Sequence, residues 1–335
     1  MSNKIKGIAA FAVGAALMSS AAYAECGDLS IAEMNWASAE FMANVDALIL
    51  EKGYGCNIEL VPGATTTTFA AMNEKSQPDV APELWTNAVA EPLAVAMDEG
   101  RMFKARVDPI EGTGESWFVT PKFAADNPEI DTIVKLLERP DLFPDAEDPS
   151  KGALVGCPSG WGCQLATANL FRAFDMEAKG WKLVDPGSAA GLDGSVSKAA
   201  ERDQNWVGYY WSPTALAGRL GLVALDWGVD FAGSENWDGC IVKPEQDCVD
   251  PKPSAWTKSE VSTVVTKEAK EKGGVALEYF ANRVFPADVM GSMLVYMADE
   301  QAAGEDAAIE FMGKHKDLWK SWVSEEAAAK IEAAL

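Results

Sequence analysis

The chain holds a single histidine, His315, among its 335 residues. Mechanisms that pair an imidazole base with a nucleophile, and metal sites built on several imidazoles, have almost nothing to work with. His315 itself stands between Lys314 and Lys316, a surface setting. Positive charge is scarce too: 28 Lys and Arg face 51 Asp and Glu, for a formal net charge of −23. A surface that acidic repels phosphate backbones and anionic lipid, which argues against nucleic acid as a partner. There is no G-x-S-x-G, no internal repeat, and no low-complexity tract beyond the Ala/Glu-rich last helix. After the first two dozen residues no apolar run reaches the 18 or so residues of a membrane span. What the chain does have is 48% hydrophobic residues, enough for a substantial core, and 12 Trp, well above ordinary usage. The length suits two ordinary domains.

Residues 1–24 read as a secretory signal peptide: Lys4 and Lys6, an apolar stretch from Gly7 to Met18, and Ala22-Tyr23-Ala24 as the cleavage site. This points to the periplasm. An even number of cysteines, six, fits an exported, oxidising setting. Proximity favours Cys157–Cys163 and Cys240–Cys248, leaving Cys26 with Cys56. A zinc cluster is the alternative, but the C-x₂₋₄-C spacing and neighbouring His ligands are missing.

Strand and helix patterns alternate from the mature N-terminus. Leu29–Met34, Cys56–Val61 and Asp79–Trp85 read as strands. Helices are expected over 38–52 (with Ser38 as the cap), 67–75 and 87–98. A second block alternates strands 153–157, 181–184 and 206–211 with helices 164–174 and 189–203. Beyond Pro253 the pattern turns helical, over 267–283, 287–297, 305–314 and 317–334. The order predicts an α/β protein of two lobes, each a mainly parallel sheet flanked by helices. Lobe 1 is expected over 25–118 plus 262–335, and lobe 2 over 119–261.

Three tryptophans close strands and precede a polar or helix-starting residue: Trp36, Trp85 and Trp211. In open parallel sheets the ligand crevice lies beyond the carboxyl ends of the strands, so such residues point at its rim. Trp161 lies in Gly156-Cys157-Pro158-Ser159-Gly160-Trp161-Gly162-Cys163, a Gly-rich loop at a helix start that a disulfide would close. The free N–H groups of that helix start suit an anion. Several indole faces around one cavity suit a methylated cation, which their quadrupoles attract and which donates no hydrogen bonds. Core packing is the competing explanation for any one of these residues. Trp181 and Trp206 open strands and read as core, Trp319 and Trp322 read as docking the last helix, and Trp227, Trp237 and Trp256 fall in loops without an assignment.

At Gly156–Cys163 and Tyr209–Pro213 the chain resembles the periplasmic substrate-binding proteins of glycine betaine/proline-type ABC importers. The first segment looks like that family's disulfide loop with a binding-site Trp, Tyr210-Trp211-Ser212-Pro213 like its second Trp motif, and Asp79–Trp85 like the strand that ends in its third. The resemblance spans essentially the whole mature chain and implies a two-lobed clamshell of type II. It makes Trp85, Trp161 and Trp211 an aromatic box, with Gly162 and Cys163 as backbone donors to the ligand's anionic end. Trp117 is a candidate fourth wall and Trp36 a further one. Glu83, two residues before Trp85, is a candidate for negative charge near the onium head, or else a solvated rim acid. The implied partners are a small methylated cationic or zwitterionic solute (glycine betaine, trimethylamine N-oxide, dimethylsulfoniopropionate or choline class) and an ABC permease in the inner membrane. The protein is expected to be a monomer with no cofactor and no catalytic residue.

Two other readings stand beside this one. The acidic stretch with Glu235, Asp238, Asp247 and Asp250 could form an oxygen cage for structural Ca²⁺, although it lacks the regular spacing and a solvated loop is favoured. A secreted sugar-binding protein or a carboxylate-based glycosidase remains the functional alternative, since Trp stacks on sugars and acids abound.

Overall fold

The computed structural model describes residues 27–335. The signal-peptide reading of 1–24 and the placement of Cys26 therefore lie outside the described residues. Two five-stranded sheets organise the chain. In chain order the strands are β1 (Asp28–Met34), β2 (Asn57–Gly63), β3 (Val80–Trp85), β4 (Met102–Val107), β5 (Gly114–Val119), β6 (Gly152–Val155), β7 (Trp181–Val184), β8 (Val207–Ser212), β9 (Val223–Ala224) and β10 (Val261–Thr266). The first sheet runs β2-β1-β3-β10-β4 and the second β7-β6-β8-β5-β9. In each, one strand lies antiparallel to its neighbours: β10 in the first and β5 in the second. Each odd strand comes directly from the other lobe, so the two crossings enter their sheets at the same relative place. The α/β, two-lobed architecture with mainly parallel sheets is thus present.

The chain leaves the first sheet after Val107 and enters the second at Gly114. Strand β5 pairs along its length with β8, so residues 114–118, grouped with lobe 1 from sequence, belong to the second sheet. The acidic, Gly-containing approach to β5 hides the crossing, because the strand itself is short and mixes polar with apolar residues. β4 and β10 also escape the sequence pattern. Every residue of β10 is buried, yet its Val residues are broken by Ser262, Thr263 and Thr266, so it shows neither an apolar run nor a clean alternation.

The helix Ala37–Tyr54 opens the first lobe and stops at Gly55, which takes the left-handed conformation at φ 72°. Trp36, not Ser38, occupies its cap position. The Ser38 hydroxyl donates instead to Glu83. The C-terminal helices cover this lobe, as expected, but in more pieces. The 267–283 span breaks at Gly273–Gly274 and the last at 321–324. Trp319 and Trp322 dock them: Trp319 is fully buried, and Trp322 packs edge-on to Phe285 at 5.0 Å. A buried ion pair ties this layer together. Arg283 Nε lies 2.8 Å from Asp46 Oδ1, Tyr279 donates to the same oxygen, and Arg283 Nη2 donates to Thr263 on β10.

The second lobe centres on Trp181 and Trp206, both buried and both core residues. Trp181 Nε1 donates to the Leu137 carbonyl and Trp206 Nε1 to the Ser195 hydroxyl. The long return segment, 225–260, carries the three tryptophans that sequence left unassigned. They form one layer: Trp117 packs on Trp227 at 4.9 Å, Trp227 on Trp256 at 6.3 Å, and Trp256 on Trp237 at 5.4 Å. Disulfides join Cys157 to Cys163 and Cys240 to Cys248, and Cys56 is also disulfide-bonded. Among the described residues no group of three or more His, Cys, Asp or Glu side chains is placed to hold a metal ion. No described helix is long and apolar enough to cross a membrane.

Candidate functional site

The carboxyl ends of β3 and β8 and the start of the helix Gly162–Ala173 meet between the lobes. They line a small pocket. The first lobe contributes Trp36, Trp85 and Ala88 to its wall, and the second contributes Glu115, Trp161, Gly162, Cys163, Tyr209 and Trp211. Trp161 stands at the centre of the aromatic group. Its ring lies 5.4 Å from Trp36 and 5.0 Å from Trp211, edge-on to both. Tyr209 stacks on Trp211 at 6.2 Å.

Three of the four indoles are held through their N–H groups. Trp36 Nε1 and Trp85 Nε1 both donate to Glu83 Oε1, at 2.8 and 3.0 Å, and Ser38 donates to the same atom at 3.0 Å. Trp161 Nε1 reaches across the cleft to Asn35 Oδ1 at 2.8 Å. Glu83 is therefore no rim acid. It is completely buried behind two walls of the box, and its second oxygen has no hydrogen-bond partner. Burial raises its pKa to about 7, against the lowering effect of the indole N–H groups and, more weakly, of Arg283. Asp46, by the same desolvation and in spite of Arg283, is raised to about 6.

Glu115 forms the other acidic feature. Asn87 Nδ2 and Trp256 Nε1 donate to its Oε1 at 2.5 and 3.0 Å, and Tyr209 donates to its Oε2 at 2.8 Å. Burial raises its pKa too, with the three donors opposing. Among the described residues no Lys, Arg or His lines the cavity.

Trp117, expected as a fourth wall, is not part of it. It is fully buried in the second-lobe core. Strand alternation puts it on the same face as Glu115, but one step deeper, opposite Tyr209, while Glu115 lies opposite Trp211 at the cleft end. The wall residues absent from the sequence reading are Tyr209, Ala88 and Glu115. The signal for Glu115 was its position two residues before Trp117, usable only once 114–119 is known to be a strand.

Gly162 and Cys163 begin the helix after Trp161, where the first N–H groups have no intrahelical acceptor. Glycine is required at 162 by close approach, since a Cβ there would collide with the Ala88 side chain of the other lobe. Further contacts join the lobes around the box. Thr66 donates through its backbone and hydroxyl to the Gly160 carbonyl, and Trp237 Nε1 to the Asn87 carbonyl. The cleft is shut.

Comparison with known proteins agrees with this architecture. A family model described as the substrate binding domain of ABC-type glycine betaine transport systems matches residues 27–314. Among solved structures, the chain is similar to a glycine betaine, L-proline ABC transporter binding protein (ProX) from Borrelia burgdorferi, with a TM-score of 0.70 and 18% identity over 91% of this chain and 99% of that one. It is also similar to an ABC-transporter choline binding protein in complex with choline, with a TM-score of 0.71 and 15% identity over 92% and 98%. A third is lactococcal OpuAC, closed on glycine betaine, with a TM-score of 0.66 and 16% identity over 89% and 100%. No curated protein matches the chain by sequence.

Proposed function

The chain belongs to the substrate-binding domains of ABC-type glycine betaine transport systems, and we propose that it captures a small methylated onium solute in the Trp36–Trp85–Trp161–Trp211 box and hands it to an inner-membrane permease. It is a solute-binding component of an ABC importer, a transport role. The candidate solutes are those of the glycine betaine, trimethylamine N-oxide, dimethylsulfoniopropionate and choline class. One observation carries the reading. Four indoles from both lobes surround a cavity that has carboxylates in and behind its wall and, among the described residues, no cationic side chain.

The mechanism follows from that geometry. A methylated onium head cannot donate hydrogen bonds, so water solvates it weakly and π faces compete well. Each desolvated face contributes roughly 2 kcal/mol at best. Glu83 fixes both ring planes and, as it ionises near pH 7, places negative charge behind Trp36 and Trp85. The free N–H groups of Gly162 and Cys163 suit an oxygen on the solute. Because the walls come from both lobes, only the closed form surrounds the ligand completely, so binding shifts the population toward closure. No bond is made or broken in this scheme. Residues 1–24 would export the chain to the periplasm, where it would act as a monomer.

Trp161→Ala and Trp211→Ala are expected to lower onium affinity at least tenfold each, because removing one wall costs more than about 1.4 kcal/mol. Calorimetric titration checks this. Full affinity in both variants, or tight binding of a neutral sugar with none of an onium compound, would overturn the box.

A further inference from the structure

We propose that Glu115 makes this site selective for methylated onium solutes that carry no carboxylate. The inference rests on the onium reading above and narrows its substrate class.

Among the described residues Glu115 is the one charged side chain in the cavity wall. Its partners Asn87, Trp256 and Tyr209 are all neutral. An amide NH₂ and an indole N–H can only donate, so Oε1 is held as an acceptor from two sides. The group has the hydrogen bonds of a carboxylate but no cation beside it. Glu83 lies behind the opposite wall in the same condition. Its only charged neighbour of consequence, Arg283, is already bound to Asp46. The cavity therefore presents two acids, and the positive end of one helix, equivalent to about half a charge, is all that offsets them.

A solute that brings its own carboxylate must place it in this small, closed space among those acids. Its onium head gains from Glu115 and Glu83, but its tail meets like charge with no Arg or Lys to receive it. A solute with the same head and no carboxylate keeps the gain and avoids the conflict. In the free-standing methylated ammonium ions and in choline the positive charge is unopposed. In trimethylamine N-oxide the oxygen is a single atom on the onium centre, and the N–H groups of Gly162 and Cys163 suffice for it.

The test is a calorimetric panel of choline, trimethylamine N-oxide, glycine betaine and dimethylsulfoniopropionate against the full-length mature protein and Glu115→Gln. In the wild-type protein the best carboxylate-free solute should bind at least tenfold more tightly than the best carboxylate-bearing one. Glu115→Gln should shrink that ratio at least threefold, a change that mere loosening of the site would not produce. If a carboxylate-bearing solute binds best, or a folded Glu115→Gln protein keeps the wild-type ratio, the proposal is overturned. If the variant does not fold, the wild-type ratio alone decides. Should none of the four bind, the onium reading itself has failed, a result distinct from a reversed preference.

Discussion

Glu83 shows how one buried side chain can organise a binding site it does not line. A single oxygen accepts from two indoles and a hydroxyl, and these bonds set the planes of Trp36 and Trp85. The cost is a carboxylate taken out of water. With its folded pKa raised from 4.5 to about 7, the residue holds its proton more tightly in the folded state than in the unfolded one. Its contribution to stability is therefore fully present below pH 4.5 and is lost as pH rises through 7, a change of about 3 kcal/mol. Glu83→Gln should remove that dependence, so the variant gains stability relative to wild type between pH 4.5 and 8. Denaturant unfolding across that range checks it, and a constant difference between the two proteins would contradict the assignment. Onium affinity should run the opposite way, rising with pH as Glu83 ionises, and the rise should be smaller in the variant.

The loop from Gly156 to Cys163 shows what an element adds to its residues. A disulfide closes it, the helix Gly162–Ala173 begins within it, and Trp161 projects from the junction into the box. The same element supplies the surface that meets the first lobe, through Gly160 and Gly162. Gly162→Ala should therefore obstruct closure without disturbing the open protein. The expected result is at least a tenfold loss of onium affinity with a nearly unchanged melting temperature for the ligand-free protein. A variant that binds like wild type would show that the lobes approach less closely than described. This loop was legible in sequence because cysteines, glycines and tryptophan concentrate within eight residues. Strand β5 was not, because Gly114–Val119 has neither a clean alternation nor an apolar run, and Glu115 and the true position of Trp117 went unseen with it.

At the scale of the whole molecule, the hydrogen bonds from Trp161 to Asn35, from Thr66 to Gly160 and from Asn87 to Glu115 link the lobes only when the cleft is shut. Outside the cleft, Arg219 pairs with Asp299 and Lys243 with Glu91, but exposed pairs of this kind contribute little. The ligand must supply most of the bias toward closure. A saturating onium solute should lower the radius of gyration measured by X-ray scattering. At about 100 times its Kd it should also raise the unfolding free energy by about 2.7 kcal/mol. Binding with no compaction would overturn the closure mechanism.

Sequence alone determined the two-lobed α/β plan and the acidic and nearly His-free chemistry, which follow from composition and periodicity, local properties of the chain. The choice of Trp85, Trp161 and Trp211 as box candidates followed from the family resemblance carried by short motifs. Only the tertiary structure decided which acids belong to the site and in what role. Glu83 went from a possible rim acid to the buried anchor of two indoles. Glu115 entered the wall, and Trp117 left it for the core. Those outcomes depend on pairing between β5 and β8 and on closure between lobes, contacts between residues tens to hundreds of positions apart that no local pattern encodes.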